Sequence, residues 1–246
     1  MKPLFLTDCD DTLFKTERKI TDARMDECTV ASTLVDGSAS GYRTPRLAYL
    51  RSLMETGDVV PVTARSRDVL ARCDVPQAPA IASNGGVVVL EDGTVDGEWH
   101  AKIMANVGDG REMAAIHRSI AQVAGDGFRH WMVEEERVPL YIVFKSNASD
   151  EEAVSALGLD IDDNQRVPDG WRIHVNGNNM ALMPPWISKR AAARHLLERV
   201  RRDTPHRLVI GVGDSASDLG FMAECDFAMY PTQSQIGTLV SKAHTW

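Results

Sequence analysis

Short apolar runs that end abruptly in polar residues are the feature of this sequence that most restricts its fold. Four such runs are Leu4–Leu6, Val59–Val62, Ala80–Ala82 and Leu208–Val212. Apolar runs without alternation are typical of strands that are buried on both faces, as in a parallel sheet. Helical segments are predicted between them, at residues 44–56, 66–73, 188–202 and 217–224. This interleaving predicts an α/β fold with an open parallel (Rossmann-like) sheet.

The middle of the chain has a different pattern. A hairpin is predicted over residues 87–95, with Asp92-Gly93 as its turn. It is followed by a predicted helix at 111–124, strands at 128–135 and 138–145, a helix near 150–157 and two strands around 171–183. This order predicts a smaller α+β domain with a largely antiparallel sheet, inserted into the core. We therefore predict a core domain of residues 1–85 and 184–246 and an inserted domain of residues 86–183.

Composition and charge exclude several function classes. The 246 residues include 27 Lys and Arg and 35 Asp and Glu, which gives a net charge of −8. That charge argues against non-specific attraction to nucleic acid or anionic lipid. We find no apolar stretch long enough for a signal peptide or a membrane span. The four cysteines lack metal-ligand spacing and suggest no disulfide framework, so a cytoplasmic location is expected.

Acidic residues cluster where two predicted strands end. Asp8, Asp10 and Asp11 follow the first strand, and Asp214 and Asp218 follow the last long apolar run. Ligands of open α/β sheets bind outside the carboxyl ends of the strands, so these acids fall at the expected site. Clustered carboxylates repel one another unless a cation neutralises them, and a hard dication such as Mg²⁺ suits them. A solvated acidic turn is the alternative for the first cluster taken alone.

The glycines before Asp214 allow a second interpretation. Gly211-x-Gly213-x-x-Ala216 fits the dinucleotide-binding pattern of a strand, a glycine turn and a helix. Asp214 would then stand where the pyrophosphate must approach, and no acidic strand-end residue follows about 20 positions on. The glycines are better explained as a tight turn beside a metal.

Two further residues point to a function only when they are considered together with the acidic residues. Lys189 opens a predicted helix, where a cation opposes the helix dipole unless both bind an anion. Thr63 ends a predicted strand and could donate its hydroxyl to a phosphate oxygen. Taken singly, a solvated lysine and a turn or capping threonine are the simpler interpretations.

With these pieces in order, the chain resembles the haloacid dehalogenase (HAD) superfamily of phosphotransferases. The residues that match the four motifs of the superfamily are Asp8, Asp10 and Thr12, then Thr63, then Lys189, and finally Gly213, Asp214 and Asp218. The resemblance covers about residues 1–85 and 184–246. An insertion between the second and third motifs, together with Ser83-Asn84-Gly85, is similar to the Cof-like and sucrose-phosphate-phosphatase-like branch. The chain departs from the pattern at Asp11 and Ala64, where glycine is commoner.

The resemblance implies a Mg²⁺-dependent phosphomonoester hydrolase. In it Asp8 is the nucleophile, Asp10 the general acid and base, and Asp218 orients Lys189 or a metal-bound water. Mg²⁺ is held by the Asp8 side chain, the Asp10 carbonyl and the Asp214 side chain. The residues expected to bind substrate are Thr63, Arg65, Asn84 and Lys189.

The expected partner is a small phosphorylated metabolite, most simply a sugar phosphate, and neither nucleic acid nor a membrane. The side chains of the inserted domain that suit a sugar ring are Trp131, Trp171, Arg172, His174, Asn176 and Asn178. Two other functions stay open: a phosphomutase that uses the same residues, and a non-catalytic nucleotide- or phosphate-binding module. The intact pair of Asp8 and Asp10 argues against the second.

Overall fold

The computed structural model of the protein describes residues 1–243. The chain forms two compact units: a core unit of Met1–Trp99 with the residues from Ser188 onward, and an inserted unit of His100–Ile187. Both boundaries lie further along the chain than predicted. Residues up to Trp99 stay with the core unit, where the Trp99 indole donates a hydrogen bond to the Gly85 carbonyl at 2.9 Å. Residues 244–246, which we predicted as part of the core, lie outside the described residues.

A four-stranded parallel sheet forms the centre of the core unit. Its strands are β1 (Leu4–Thr7), β4 (Asp58–Pro61), β11 (Val209–Val212) and β12 (Phe227–Met229). They lie in the order β12-β11-β1-β4, and each neighbouring pair is parallel. Every residue of β1 is buried, as expected for an unalternating apolar strand that is covered on both faces. This sheet, with the smaller insertion, confirms the predicted fold class.

The helices of the core unit begin at residues that suit helix N-termini. They are α1 (Pro45–Met54), α2 (Arg67–Leu70), α6 (Lys189–Asp203), α7 (Leu219–Met222) and α8 (Gln235–Ala243). Thr44, Ser66 and Ser188 cap the first three, since each side chain accepts a backbone N–H of the first turn. A further helix, α3 (Gly97–Val107), runs from the core unit into the inserted unit and was not predicted. Within residues 1–243, no helix has the length and apolar character needed to cross a membrane.

An ion-pair cluster holds α7 against α6. Glu224, just after α7, accepts hydrogen bonds from Arg190 at 2.6 Å and from Arg194 at 2.8 and 3.1 Å. The hydrogen bonds from Arg194 and Arg190 lower the pKa of Glu224 to about 2. This carboxylate therefore stays ionised down to strongly acidic pH.

The residues around Gly85 pair differently from the prediction. Strand β5 (Ala80–Ala82) is antiparallel to β6 (Val87–Val89), and a single parallel bridge from Val62 to Ile81 links it to the central sheet. The predicted hairpin of residues 87–95 is present but short: Val89 is bridged to Val95, and the Leu90 N–H donates to the Thr94 carbonyl at 2.8 Å across the Asp92-Gly93 turn. β6 pairs with β5 because the chain reverses tightly at Ser83, Asn84 and Gly85, which all have positive φ.

A hairpin that the sequence did not indicate lies between the first two core strands. Strands β2 (Thr29–Thr33) and β3 (Ala39–Arg43) are antiparallel. Residues 36–41 supply the turn of this hairpin and the start of β3. Its Asp36 carboxylate accepts the backbone N–H of Ser38 at 2.9 Å, which closes the turn.

The inserted unit is a four-stranded antiparallel sheet with two helices on one face. The strands are β7 (Phe128–Glu135), β8 (Val138–Ser146), β9 (Arg172–Asn176) and β10 (Asn179–Met183), in the order β7-β8-β10-β9. The helices α4 (Arg111–Ala124) and α5 (Glu151–Asp163) pack on the face that carries Phe144 and Met180. We call this the helix-covered face and the opposite one the second face.

Candidate active site

Three strand ends bring the predicted site residues of the core unit together. Asp8 follows β1, Thr63 lies two residues beyond β4, and Asp214 lies two residues beyond β11. Because β1 lies between β4 and β11 and all three are parallel, their carboxyl ends share one edge of the sheet. This is the edge where ligands of such sheets bind.

Lys189 lies between two buried carboxylates. Its Nζ donates to Asp8 Oδ1 at 2.7 Å and to Asp218 Oδ1 at 2.8 Å. The three residues are 8%, 6% and 0% exposed. Burial alone would lower the pKa of Lys189, but the carboxylates of Asp8 and Asp218 outweigh burial and raise it, so the ammonium is charged. Burial raises the pKa of Asp8 well above its usual range, while Lys189 opposes that shift.

The carboxylates of Asp8, Asp214 and Asp218 form a cluster whose donor oxygens all lie within 4.8 Å of one another. Burial and the neighbouring charges of Asp218 and Asp11 raise the pKa of Asp214 to about 6. Three carboxyl groups share the single positive charge of Lys189, and oxygen donors are what a hard dication prefers. The cluster therefore fits Mg²⁺. The Asp10 carbonyl as a ligand stays a prediction.

Asp218 holds both Lys189 and the loop after β11. Its Oδ2 accepts the Ser215 backbone N–H at 3.0 Å and the Ser215 hydroxyl at 2.7 Å. Gly213 is needed beside it, because a Cβ there would lie 2.6 Å from Asp218 Cβ. The contact with Lys189 is compatible with the predicted orienting role of Asp218. Ser215 was missed because a serine in a turn carries no distinguishing sequence signal.

Asp10 is bound by Arg65 in a two-point contact. Arg65 Nε donates to Asp10 Oδ2 at 2.8 Å, and Nη2 donates to Oδ1 at 2.7 Å. The third nitrogen, Nη1, donates to Ser32 Oγ at 3.0 Å, and the guanidinium lies 5.0 Å from the centre of the Phe14 ring. Arg65 was predicted to contact substrate; in the structure its donors are engaged with Asp10 and Ser32. Ser32 was missed because its hairpin was not predicted.

A backbone hydrogen bond joins Thr63 and Asn84. The buried Thr63 hydroxyl accepts the Arg65 N–H at 3.1 Å, and the Asn84 N–H donates to the Thr63 carbonyl at 2.9 Å. Gly85, with φ +91°, packs so tightly on the start of α6 that an added Cβ would overlap the Ser188 carbonyl. The reversal at residues 83–85 thus joins the end of β4 to the helix that presents Lys189. Phosphate contacts by Thr63 and Asn84 stay predictions.

The six residues of the inserted unit singled out for a sugar ring do not share one surface. Strand alternation puts Trp131, His174, Asn176 and Arg172 on the second face. Trp171 instead contacts Trp186, with ring centres 6.3 Å apart. Asn178 lies in the β9–β10 turn and donates to Ser149 Oγ at 3.3 Å.

The fold is that of the HAD-like hydrolases, so the resemblance seen in the sequence is confirmed at the level of the fold. No protein-family model and no curated protein sequence matches the chain. Among solved structures, it is similar to a sucrose-phosphatase from Synechocystis sp. PCC6803 in complex with sucrose and phosphate. That match has a TM-score of 0.55 and 14% identity, and it covers 99% of this chain and 88% of that one.

Two further solved structures extend the similarity. One is a haloacid dehalogenase-like hydrolase from Bacteroides thetaiotaomicron, with a TM-score of 0.50, 11% identity and coverage of 99% and 98% of the two chains. The other is the C-terminal domain of the C. albicans trehalose-6-phosphate phosphatase, with a TM-score of 0.51, 12% identity and coverage of 89% and 72%. At these identities the likeness establishes the fold alone.

Proposed function

We propose that the protein is a Mg²⁺-dependent phosphomonoester hydrolase that acts through an aspartyl-phosphate at Asp8. The observation that carries the proposal is the meeting of Asp8, Lys189, Asp214 and Asp218 from three distant chain segments at one edge of the sheet. A buried nucleophilic carboxylate, a charged lysine and a dication site are the parts that phosphoryl transfer requires.

In the first half of the reaction, Asp8 attacks phosphorus and forms an O–P bond while the bond to the leaving oxygen breaks. Asp10, in its protonated form, gives its proton to that oxygen. The Lys189 ammonium gives up its hydrogen bond to Asp8 and binds an oxygen of the transferred phosphoryl group instead. Arg65 binds both oxygens of Asp10 in the structure. When Asp10 acts as the acid, one oxygen leaves the guanidinium and carries the proton, while the other stays bound to Arg65 and keeps the carboxyl group in position.

In the second half, Asp10 takes a proton from water, and the water oxygen attacks phosphorus. The bond to Asp8 breaks, inorganic phosphate leaves, and both carboxyl groups return to their starting states. Mg²⁺, held by the Asp8 and Asp214 side chains and the Asp10 carbonyl, would supply charge neutralisation between anionic nucleophile and anionic substrate. Thr63 and Asn84 would orient the phosphoryl oxygens.

A sugar phosphate is the proposed substrate. The proposal is supported by the predicted branch of the superfamily and by the fold shared with a sucrose-phosphatase. Nothing in the structure tests the predicted cytoplasmic location or the predicted absence of nucleic-acid and membrane partners, which stay predictions.

The test is phosphate release from sugar phosphates, nucleoside monophosphates and phosphoserine peptides, with and without Mg²⁺. We expect turnover that chelation stops and Mg²⁺ restores, and a loss of at least roughly 10³-fold in Asp8→Asn. Asp22→Asn, a carboxylate of the core unit near Arg46, is the matched control and should retain activity. Return of the phosphoryl group to substrate would identify a phosphomutase, and binding without turnover a non-catalytic module. Substantial activity in Asp8→Asn would exclude this nucleophile.

A further inference from the structure

Two histidines of the inserted unit meet at the open edge of its sheet. His117 comes from the middle of α4, and His130 comes from β7, which is the edge strand. His117 Nε2 lies 2.9 Å from His130 Nδ1, and the two ring planes are 81° apart. A helix and a strand thus bring two imidazole nitrogens face to face, and we call these residues the histidine pair.

The hydrophobic core of the inserted unit holds the histidine pair on one side. Phe144, which is fully buried, lies directly opposite His130 on the neighbouring strand. The centre of its ring is 6.0 Å from that of His117 and 5.4 Å from that of His130. The other side is open, because His130 is exposed and His117 is half-buried. Side chains that are packed on a helix and a strand are held more precisely than side chains on loops, as a binding site requires.

The surroundings of the histidine pair favour neutral rings. Within residues 1–243 no carboxylate oxygen lies within 4.0 Å of either ring to stabilise a positive charge there. Burial, with smaller effects of His130 and Arg118, lowers the pKa of His117. A neutral imidazole has a free nitrogen lone pair, and this is the form in which histidine binds metal ions.

The separation of the two nitrogens fits neighbouring ligands of one metal ion. A metal ion holds imidazole nitrogens at about 2.0–2.1 Å, so two nitrogens at a right angle to each other lie about 2.9 Å apart, whereas a tetrahedral ion needs about 3.3 Å. The observed 2.9 Å is also a normal hydrogen-bond length, so the contact is stable without the ion. When the ion binds, the ring that donates this hydrogen bond moves its proton to its other nitrogen, through water. Both rings then rotate about a soft torsion until their lone pairs meet the ion.

The ligand set favours particular metals. Imidazole suits Zn²⁺, Cu²⁺ and Ni²⁺, and right-angled ligation is typical of Cu²⁺ and Ni²⁺. Within the described residues no third histidine, cysteine or carboxylate completes a ligand cluster at the histidine pair, so water takes the remaining positions. Structural zinc sites, in contrast, use four protein ligands. Mg²⁺ prefers oxygen ligands and leaves the pair free.

We propose that the histidine pair is a binding site for a divalent transition-metal ion that prefers right-angled ligation, such as Ni²⁺ or Cu²⁺. His117 Nε2 and His130 Nδ1 supply two adjacent ligands, and water supplies the others. The bound ion ties the edge strand β7 to α4 and so stabilises the inserted unit. This site goes beyond the proposed hydrolase activity, because it lies within the inserted unit, takes nitrogen ligands and needs no turnover.

The experiment is an NMR titration of the full chain with Ni²⁺ in excess Mg²⁺, which competes for the carboxylate cluster of the core unit. The chain has seven histidines, and their ring C–H signals report on each of them separately. Ni²⁺ is paramagnetic, so it should broaden the signals of His117 and His130 first, and to saturation. His117→Ala and His130→Ala should each weaken binding at least about tenfold. The double variant should be little weaker than either, because a single imidazole no longer chelates the ion.

The matched control is His206→Ala, which removes an exposed histidine just beyond α6 in the core unit. Its affinity should stay within about twofold of the parent. Ni²⁺ should also raise the melting temperature of the parent and of His206→Ala, but not that of His130→Ala. An equal loss in His206→Ala, equal broadening of all histidine signals, or no broadening of the histidine pair by roughly 1 mM Ni²⁺ would each overturn the proposal. If His117→Ala does not fold, His117→Gln serves as the test, with the same expected loss.

Discussion

Removing Arg65 should damage protonation of the leaving group and leave binding of the phosphate largely intact. In the structure the guanidinium fixes both oxygens of Asp10 and is itself held by Ser32. The Asp10 side chain is 47% exposed, so without Arg65 it would hydrate and sample several rotamers. Arg65→Ala therefore perturbs the position of the general acid and no other proposed catalytic group.

The size of the effect follows from what a positioned general acid contributes, about 10²–10⁴-fold in rate. Loss of position, with the carboxyl group still present, should cost about 10–100-fold on an alkyl phosphate, whose leaving oxygen must be protonated. A p-nitrophenyl ester leaves as a stable anion, so its kcat/KM, which reports the first half of the reaction, should fall by less than about threefold. The pair is partly exposed, so the free energy of unfolding should fall by only about 0.5–1.5 kcal/mol.

The assay compares kcat and KM for a sugar phosphate and for p-nitrophenyl phosphate. Arg65→Ala should lower kcat/KM selectively for the sugar phosphate, and Arg65→Lys should recover part of it. Arg46→Ala, which removes an 80% exposed arginine of the same unit, should change neither value. If KM rises equally for both esters with kcat unchanged, Arg65 binds the substrate phosphate and its role toward Asp10 is refuted.

Three further predictions test the site and its support. Lys189→Met should lower the free energy of unfolding by about 3–5 kcal/mol, because two buried carboxylates lose their counter-ion; urea denaturation that moves by less than about 1 kcal/mol would contradict the buried pair. Gly85→Ala should cost at least about 2 kcal/mol through overlap with the start of α6, whereas Gly93→Ala, also at positive φ but with open space around it, should cost about 1 kcal/mol. The pKa of Glu224 is lowered, so the ionised carboxylate stabilises the folded protein fully above the unfolded-state pKa of 4.5, and this stabilisation is lost as the pH falls towards about 2. The Glu224→Gln variant should therefore be about 1–2 kcal/mol less stable than the parent at pH 7 and as stable as the parent near pH 2.

The parts of the fold that local patterns could predict are those in which neighbouring residues carry the signal. The run Leu4–Leu6 predicted a buried parallel strand because both faces of β1 are covered, and the helix over residues 111–124 has the bounds that its apolar spacing indicated. The order of elements in the inserted unit followed from the same reasoning. Pairing was harder. Ala80–Ala82 is as apolar as a central strand, yet the reversal at Ser83 turns it into one arm of a hairpin.

The contacts that local patterns could not predict join residues far apart in the chain. Arg65 and Asp10 are 55 positions apart, and their contact depends on Ser32 in a hairpin whose strands are polar and short. The sequence placed Arg65 at a strand end, where a substrate contact is the simpler expectation. Only the three-dimensional position of the β2–β3 hairpin turns the guanidinium towards Asp10.

The division of the core unit into two chain segments has a consequence for folding during synthesis. β1 pairs with β11, whose first residue, Val209, is opposite Leu4 from the other end of the chain. The central sheet therefore cannot close until β11 and β12 have emerged from the ribosome, while the inserted unit has all its strands once residue 187 has emerged. Domains generally fold as units as they emerge, and such distant pairings form slowly. The nascent chain must keep the apolar strands of its first hundred residues from aggregating while a later segment folds ahead of them.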